Sequence, residues 1–255
     1  MNIDFELDES GDRVGLPVGP SAAERPDDTV IDGDRVRLER LRVDHSPDLW
    51  DAFEATDSST LWTYMPQGPF TTEAEQRGWI RSVADSTDPL FYAIVDTAKN
   101  RAVGISSYLR IDPTNGVIEV GYLSFSGALR RTPAATEAMY LMAKNAFDRG
   151  FRRYEWKCNV LNAPSIAAAE RLGFSFEGVF RNAVVIKGRN RDTAWFAFTD
   201  SDWNGGVRAA HEKWLSAKNF GANGEQIERL ADLTSSLRHS DFPTVSIRFG
   251  SPATP

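Results

Sequence analysis

Residues 117–138 read VIEVGYLSFSGALRRTPAATEA. The first nine form a strand-like run of β-branched and aromatic side chains, small residues follow as a turn, and the rest is the capped start of a helix. A strand that turns directly into a helix leaves the first helical N–H groups unpaired. Together with the positive end of the helix dipole, those groups attract phosphate. Ala134 and Ala135 allow close approach to the backbone, Arg130 and Arg131 supply charge-assisted contacts, and the Thr132 or Thr136 hydroxyl supplies another hydrogen bond. Pro133 suits the first helical turn but deletes one donor. The ligand predicted for this loop is a pyrophosphate; the alternative is an ordinary capped helix with solvated arginines.

Outward from this stretch the pattern is that of a mixed α/β fold. The helix continues through TEAMYLMAKNAFDRG and is followed by a strand, RRYEWKCNV, a shorter helix, APSIAAAERLGF, and a hairpin within FSFEGVFRNAVVIKGRNRDTAWFAFT. On the other side, FYAIVD, RAVGISSYLRI and GVIEVGYLSF predict three successive antiparallel strands, the last two joined by the turn DPTNG. Earlier still, DRVRLERL (34–41) alternates as a strand with one wet face. HSPDLWDAFEAT predicts a helix capped by Ser46 with Pro47 at its first position, and TTEAEQRGWIRSVADS a second one capped by Thr71 or Thr72. The aromatic loop LWTYMPQGPF (61–70) between them is read either as a cover on the core or as a substrate gate, with Trp62, Tyr64, Met65 and Phe70 as its bulky members. Beyond Trp203, VRAAHEKWLSAKNF and GEQIERLADLTSSL predict amphipathic helices that could pack on their own domain or on a second copy, and SPATP predicts a frayed end. The resulting division is an acidic arm at 1–28 that is mobile or orders on another surface, a main folded domain at 29–203 and a helical extension at 204–255.

Composition narrows the function classes. The 255 residues are 41% hydrophobic, enough for a substantial core, and the net charge is −7. That acidity sits in the first 34 residues, where Asp4, Glu6, Asp8, Glu9, Asp12, Glu24, Asp27, Asp28, Asp32 and Asp34 face only Arg13 and Arg25. The remainder is near neutral, which gives no support for nucleic-acid binding. No run approaches the roughly 18 apolar residues of a membrane span, and the acidic start lacks the pattern of a signal peptide, so a cytoplasmic protein is expected. The single Cys158 excludes an intrachain disulfide and a multi-cysteine metal site, and it is read as inert core. His45, His211 and His239 are scattered without ligand spacing and are read as structural or solvated, so no metal is expected. Arg181, Lys187, Arg189 and Arg191 form a basic string around the predicted hairpin, read as a solvated face, an acidic-substrate contact or a contact to an adenosine 3′-phosphate.

LRRTPAAT resembles the Arg/Gln-x-x-Gly-x-Gly/Ala loop of the GCN5-related N-acetyltransferases, matched as Arg130, Arg131, Thr132, Pro133, Ala134 and Ala135, with Pro133 in place of the first glycine. IEVGYLSF, YEWKCNVLNAPSIAAAERLGFSFEG and GRNRDTAWFAFTDSDW resemble the RimJ/RimL-type branch, which acetylates protein N-termini. The likeness runs from about residue 34 to 203. It implies a twisted mixed sheet whose two central parallel strands splay around acetyl-CoA, with the pyrophosphate on the N–H groups of residues 131 to 136. It also implies direct attack of an amine on the thioester, without a covalent acyl-enzyme. Such attack needs a base, an oxyanion donor and a group for the departing thiolate. The resemblance assigns these to Glu119, to a backbone N–H after Gly121 (that of Leu123) and to Ser165. Asn162 would hydrogen-bond the pantetheine arm, although Asn162 to Ser165 also reads as a helix cap. The acceptor would be a protein N-terminus, an amino acid or another small amine. The competing reading is a silent CoA-binding regulatory module, to which Pro133 points.

Overall fold

The computed structural model describes residues 5–20, 22–55 and 58–239, the side chains of Ser58 and Ser59 excepted. Met1 to Asp4 of the acidic arm, Thr56 at the end of the first expected helix and the SPATP terminus lie outside them. Among the described residues the strands are β1 (Phe5–Leu7), β2 (Arg13–Gly15), β3 (Ile31–Asp32), β4 (Val36–Arg40), β5 (Leu90–Asp96), β6 (Arg101–Asp112), β7 (Val117–Phe125), β8 (Arg153–Asn159), β9 (Ser175–Ile186) and β10 (Arg189–Thr199). The helices are α1 (Ser46–Glu54), α2 (Ser58–Leu61), α3 (Glu73–Val83), α4 (Pro133–Asp148), α5 (Ala163–Arg171), α6 (Asp200–Asp202), α7 (Arg208–Leu215) and α8 (Leu230–Thr234). None of them is long and apolar enough to cross a membrane.

β1 and β2 pair with each other, and the other eight strands form one sheet in the order β3-β4-β5-β6-β7-β8-β10-β9. Every neighbouring pair is antiparallel except β7 and β8, whose connection through α4 makes them parallel. Their pairing runs from Val117 opposite Arg153 to Val120 opposite Trp156 and stops there, although both strands continue. The sheet therefore opens at its centre. One face packs against α4, α5, α7 and α8 through Ile94, Tyr108, Val120, Met142, Phe174, Phe196 and Trp203. The opposite face of the first half packs against α1 and α3 through Leu49, Phe53, Trp62, Ile80, Phe91 and Ile105. Alternate residues of β5 thus serve two cores, so it is buried continuously from Leu90 to Val95 rather than alternating.

Two local expectations change. Ser46 does not cap α1: it lies inside the helix, buried, with its Oγ unpartnered. The ring of His45, bonded to Glu39 Oε1 at 2.8 Å, accepts the Arg42 amide at 3.0 Å through Nδ1 and starts a 3₁₀ turn one step earlier. GEQIERLADLTSSL forms an α-helix only over Leu230–Thr234, followed by a 3₁₀ turn at Ser235–Leu237. Ahead of it, Asn219 receives the Glu228 amide at 2.8 Å and donates to the Trp214 and Glu228 carbonyls at 3.1 Å, so side-chain bonds satisfy the backbone that a helix would otherwise pair. The apolar face of this region packs on its own chain: Val207, Trp214 and Leu230 are part of the core under α4 and α5. At the other end, residues 22–28 are tied down, with Arg25 donating to the Ile111 and Thr87 carbonyls and Asp27 bonded to Arg149.

His211 on α7 is a structural histidine in this packing. It is 3% exposed, its Nε2–H donates to the Leu172 carbonyl at 2.8 Å, and Nδ1 has no partner. Burial pushes its pKa down to about 4 from 6.5. Because the unfolded chain takes up this proton first, stability should be complete above about pH 6.5 and fall as the pH drops toward 4, by at most about 3 kcal/mol. Urea unfolding at pH 7 and pH 4.5 should show that loss, and His211→Gln should lose distinctly less between the same two values. An equal loss in both proteins would assign the effect to other groups.

Candidate active site

Where β7 leaves β8, the polar face of the sheet carries a chain of ion pairs. Glu119 on β7 and Glu155 on β8 stand directly opposite each other in the parallel ladder. Lys157, two positions along β8 on the same face, joins them: its Nζ lies 2.9 Å from Glu119 Oε2 and 2.6 Å from Glu155 Oε2. Arg110 binds Glu119 Oε2 at 2.6 Å, Arg153 binds Glu155 at 2.7 Å, and Arg153 pairs onward with Glu177. Burial alone would raise the Glu155 carboxyl, but hydrogen bonds from Lys157 and Arg153 hold it below its ordinary value. The Lys157 side chain is 3% exposed, and its ammonium sits 3.6 Å from the centre of the Trp195 ring. Sequence reading missed Lys157 and Arg110. The i, i+2 spacing of Glu155 and Lys157 was visible as two charges on one strand face, but their juxtaposition with Glu119 depends on the parallel register.

Glu119 itself is 4% exposed. Both of its cations bind Oε2, while Oε1 lies toward Gly121, 3.8 Å from where a Cβ on that residue would stand. Glu119 is therefore ion-paired through one oxygen, and the carboxylate nevertheless borders the opening. Immediately beyond it β7 bulges. Gly121 pairs with Ser107 and Ser124 with Ile105, so Tyr122 and Leu123 together face the single residue Ser106. Tyr122 adopts a φ of 52° there. A bulge takes one backbone unit out of the regular ladder, and Leu123 sits in it.

The turn after β7 ends in α4, with Thr132 as N-cap accepting the Ala135 amide at 3.3 Å. Pro133 occupies the first helical position, where the missing N–H would have had no helical partner. The Arg130 and Thr132 amides donate to Ser126 and Leu129 carbonyls, and the Thr136 hydroxyl accepts from Arg171 at 3.1 Å. The amides of Arg131 and Ala134 remain as the turn's unengaged donors. The Arg130 and Arg131 side chains are exposed, and no carboxylate of the described residues pairs with either. This set of donors and cations fits a pyrophosphate.

Across the opening, Asn162 caps α5 by accepting the Ser165 amide at 3.3 Å, as the cap reading expected. Ser165 Oγ accepts the Trp156 indole N–H at 3.0 Å, which leaves its own hydroxyl hydrogen to donate elsewhere. Cys158 lies beside it, 5% exposed, and burial pushes the thiol pKa up. The aromatic loop roofs this region and belongs to the core at the same time. Phe53, Trp62, Phe70, Trp79, Phe91 and Tyr122 form an unbroken series of ring contacts with centroids 5.0 to 5.8 Å apart, ending at the β7 bulge. Gly68, at φ 63°, lies against Trp62 so closely that a Cβ would come within 2.7 Å of the ring. The loop is also tied across the opening: the Tyr64 hydroxyl donates to the Leu161 carbonyl at 2.9 Å, and Lys187 of the β9–β10 hairpin donates to the Trp62 and Gln67 carbonyls.

Comparison with known proteins places these features in a family context. Residues 35–175 match the family model described as the acetyltransferase (GNAT) domain. A solved structure of a GCN5-related N-acetyltransferase from Brucella melitensis is 41% identical with a TM-score of 0.82, the match covering 84% of this chain and 98% of that one. An uncharacterized N-acetyltransferase, p20, from Bacillus licheniformis is 26% identical over 145 residues, which are 56% of this chain and 82% of the relative. The structure of RimL, a ribosomal L7/L12 alpha-N-protein acetyltransferase, superposes with a TM-score of 0.57 at 21% identity over 67% of this chain and 94% of that one, a likeness of fold alone.

Proposed function

This chain belongs to the GNAT acetyltransferase family, and we propose from that premise that it passes the acetyl group of acetyl-CoA directly to a primary amine within a ternary complex. The family uses acetyl-CoA as cosubstrate and acts on amines, protein N-termini among them. The observation that carries the reading is the end of β7–β8 pairing at Val120 and Trp156, with Glu119 on one lip of the opening and Ser165 beyond the other.

In this reading Arg130, Arg131 and the amides of Arg131 and Ala134 hold the pyrophosphate, Thr132 and Ala135 shape the turn, and the hydroxyl of Thr136 and the ring of Pro133 complete its floor. Asn162 and Ser165 border the pantetheine. Glu119 Oε1 takes the ammonium proton, directly or through a water, so that the nitrogen lone pair becomes available to form the new C–N bond. The Leu123 N–H stabilises charge on the carbonyl oxygen, and the Ser165 hydroxyl hydrogen-bonds the sulfur as the C–S bond breaks. Attack without an acyl-enzyme needs no nucleophilic side chain, consistent with the raised Cys158 thiol. A protein N-terminus is one candidate acceptor, by analogy of fold with RimL.

Calorimetric titration with acetyl-CoA, followed by thiol-release assays on peptides and small amines, tests this reading. Arg130→Ala with Arg131→Ala should weaken acetyl-CoA binding about 10- to 100-fold, and an unchanged affinity would mean that both arginines are merely solvated. Binding without turnover on any amine would favour the silent module.

A further inference from the structure

The ion-pair chain across the polar face is balanced: Arg110, Lys157 and Arg153 carry three positive charges against Glu119, Glu155 and Glu177. Arg191, on β10 beside this chain, is left over. Its Nε is buried and has no partner, and no carboxylate of the described residues pairs with the guanidinium. Two more polar groups on the same strand share this condition. Thr193 Oγ1 and Trp195 Nε1 are buried and unpartnered, at alternate positions that follow Arg191 along β10. β10 stays regular here, with Thr193 opposite Asn159, Trp195 opposite Lys157 and the Val160 amide on the Asp192 carbonyl; the irregularity in the hairpin is taken up by β9, where Val184 and Phe180 face Arg191 and Thr193. The three groups therefore line the face that carries Lys157 and Glu119.

Their position is at the opening. Thr193 pairs with the free end of β8, beyond the last parallel pair. The Arg191 charge is felt at Cys158 and at Tyr122, and the Glu119 charge is felt at Arg191. Arg191 is half-buried, and that burial pulls its pKa below the usual value, with the like charge of Arg110 acting in the same direction and Glu119 against it. Leaving a partly desolvated cation with its buried Nε unpaired is costly, and a guanidinium and an indole N–H can only donate, so the missing partner is an acceptor and an anion. A planar carboxylate matches the guanidinium fork.

We propose that Arg191, with the Thr193 hydroxyl and the Trp195 indole N–H, recognises a carboxylate carried by the amine substrate. This rests on the acetyl-transfer reading and narrows its acceptor to acidic amines: a free amino acid through its α-carboxylate, or a peptide N-terminus followed by an acidic side chain. Glu119 would face the amine end and Arg191 the carboxylate end of the same molecule.

The test uses matched pairs of acceptors: free amino acids against their carboxamides, and peptides with Glu against Gln at the second position. The intact protein should favour the carboxylate member at least about tenfold in kcat/KM. Arg191→Gln should abolish that preference by raising KM for the acid alone, with the acetyl-CoA dissociation constant unchanged. Thr193→Val, which keeps the shape of the side chain, should reduce the preference in the same direction by a smaller factor. A preference confined to free amino acids identifies the α-carboxylate, and one confined to peptides the acidic side chain. Calorimetry of the N-acetylated products in the presence of CoA reads the same discrimination without turnover, so a panel of amines that is never acetylated counts against the enzyme reading while this measurement still decides the carboxylate site. Equal binding of acid and amide, a preference that survives both substitutions, or a tenfold loss of acetyl-CoA affinity in Arg191→Gln would overturn the assignment.

Discussion

Replacing Glu119 with Gln is expected to lower kcat by about two orders of magnitude or more, while the dissociation constant of acetyl-CoA changes little. Gln keeps the size and one hydrogen-bonding oxygen but cannot accept the ammonium proton, so the effect belongs to the proton-transfer step and not to cofactor binding. The two cations on Oε2 make the experiment stricter than it would be at an isolated carboxylate. Removing the Glu119 charge leaves Lys157 paired with Glu155 alone, so a melting curve must accompany the kinetics to separate lost chemistry from lost stability. Single-turnover rates with saturating amine and acetyl-CoA should show the loss in the chemical step itself. An activity unchanged across the pH range would remove Glu119 as the base and leave it as a member of the ion-pair chain.

The second large effect is structural. Lys157→Met keeps the hydrocarbon stem against Trp195 but leaves Glu119 and Glu155 facing each other across the parallel ladder, both nearly buried and with no cation between them. Breaking a buried pair from one side costs about 3–5 kcal/mol, because the remaining charge has neither water nor partner. Here Arg110 still binds Glu119 Oε2 and Arg153 still binds Glu155 Oε1, so the lower part of that range is expected. Urea denaturation measures it directly. Adding Glu155→Gln to Lys157→Met should return part of the loss by removing one of the opposed charges, and the double-mutant cycle then isolates the Lys157–Glu155 coupling. A loss below about 1 kcal/mol in the single variant would mean that the chain is solvated and contributes little.

These two experiments act on one face of the sheet, and the residues involved differ in how readable they were. Glu119 stood out because it interrupts an apolar run, and Thr132 with Pro133 because a cap followed by proline is a local signal. Thr72 capping α3 and the DPTNG turn were legible for the same reason. Ser46 was misleading because the competing cap, the His45 ring, draws its position from Glu39 on a neighbouring strand. The GEQIERLADLTSSL segment had helical composition, yet Asn219 satisfies its backbone from outside, a contact no periodicity carries. Arg191 was visible only as one member of a basic string. Among its neighbours Lys187 spends its charge on two loop carbonyls while the buried Arg191 Nε has no partner among the described residues, and that difference exists only once the hairpin is folded against the aromatic loop.

The amino-acid sequence by itself determined most strands and helices of the domain, their order and the capped turn before α4, because hydrophobic period, caps and turn chemistry act over a few neighbouring residues. Only the tertiary structure decided which charges meet. Glu119 and Lys157 are separated along the chain by the whole of α4, and interstrand hydrogen bonds look alike in every register. The choice is made by packing both faces of the sheet at once, which sets Val120 opposite Trp156, brings Lys157 between two carboxylates and leaves the Arg191 Nε without a partner among the described residues.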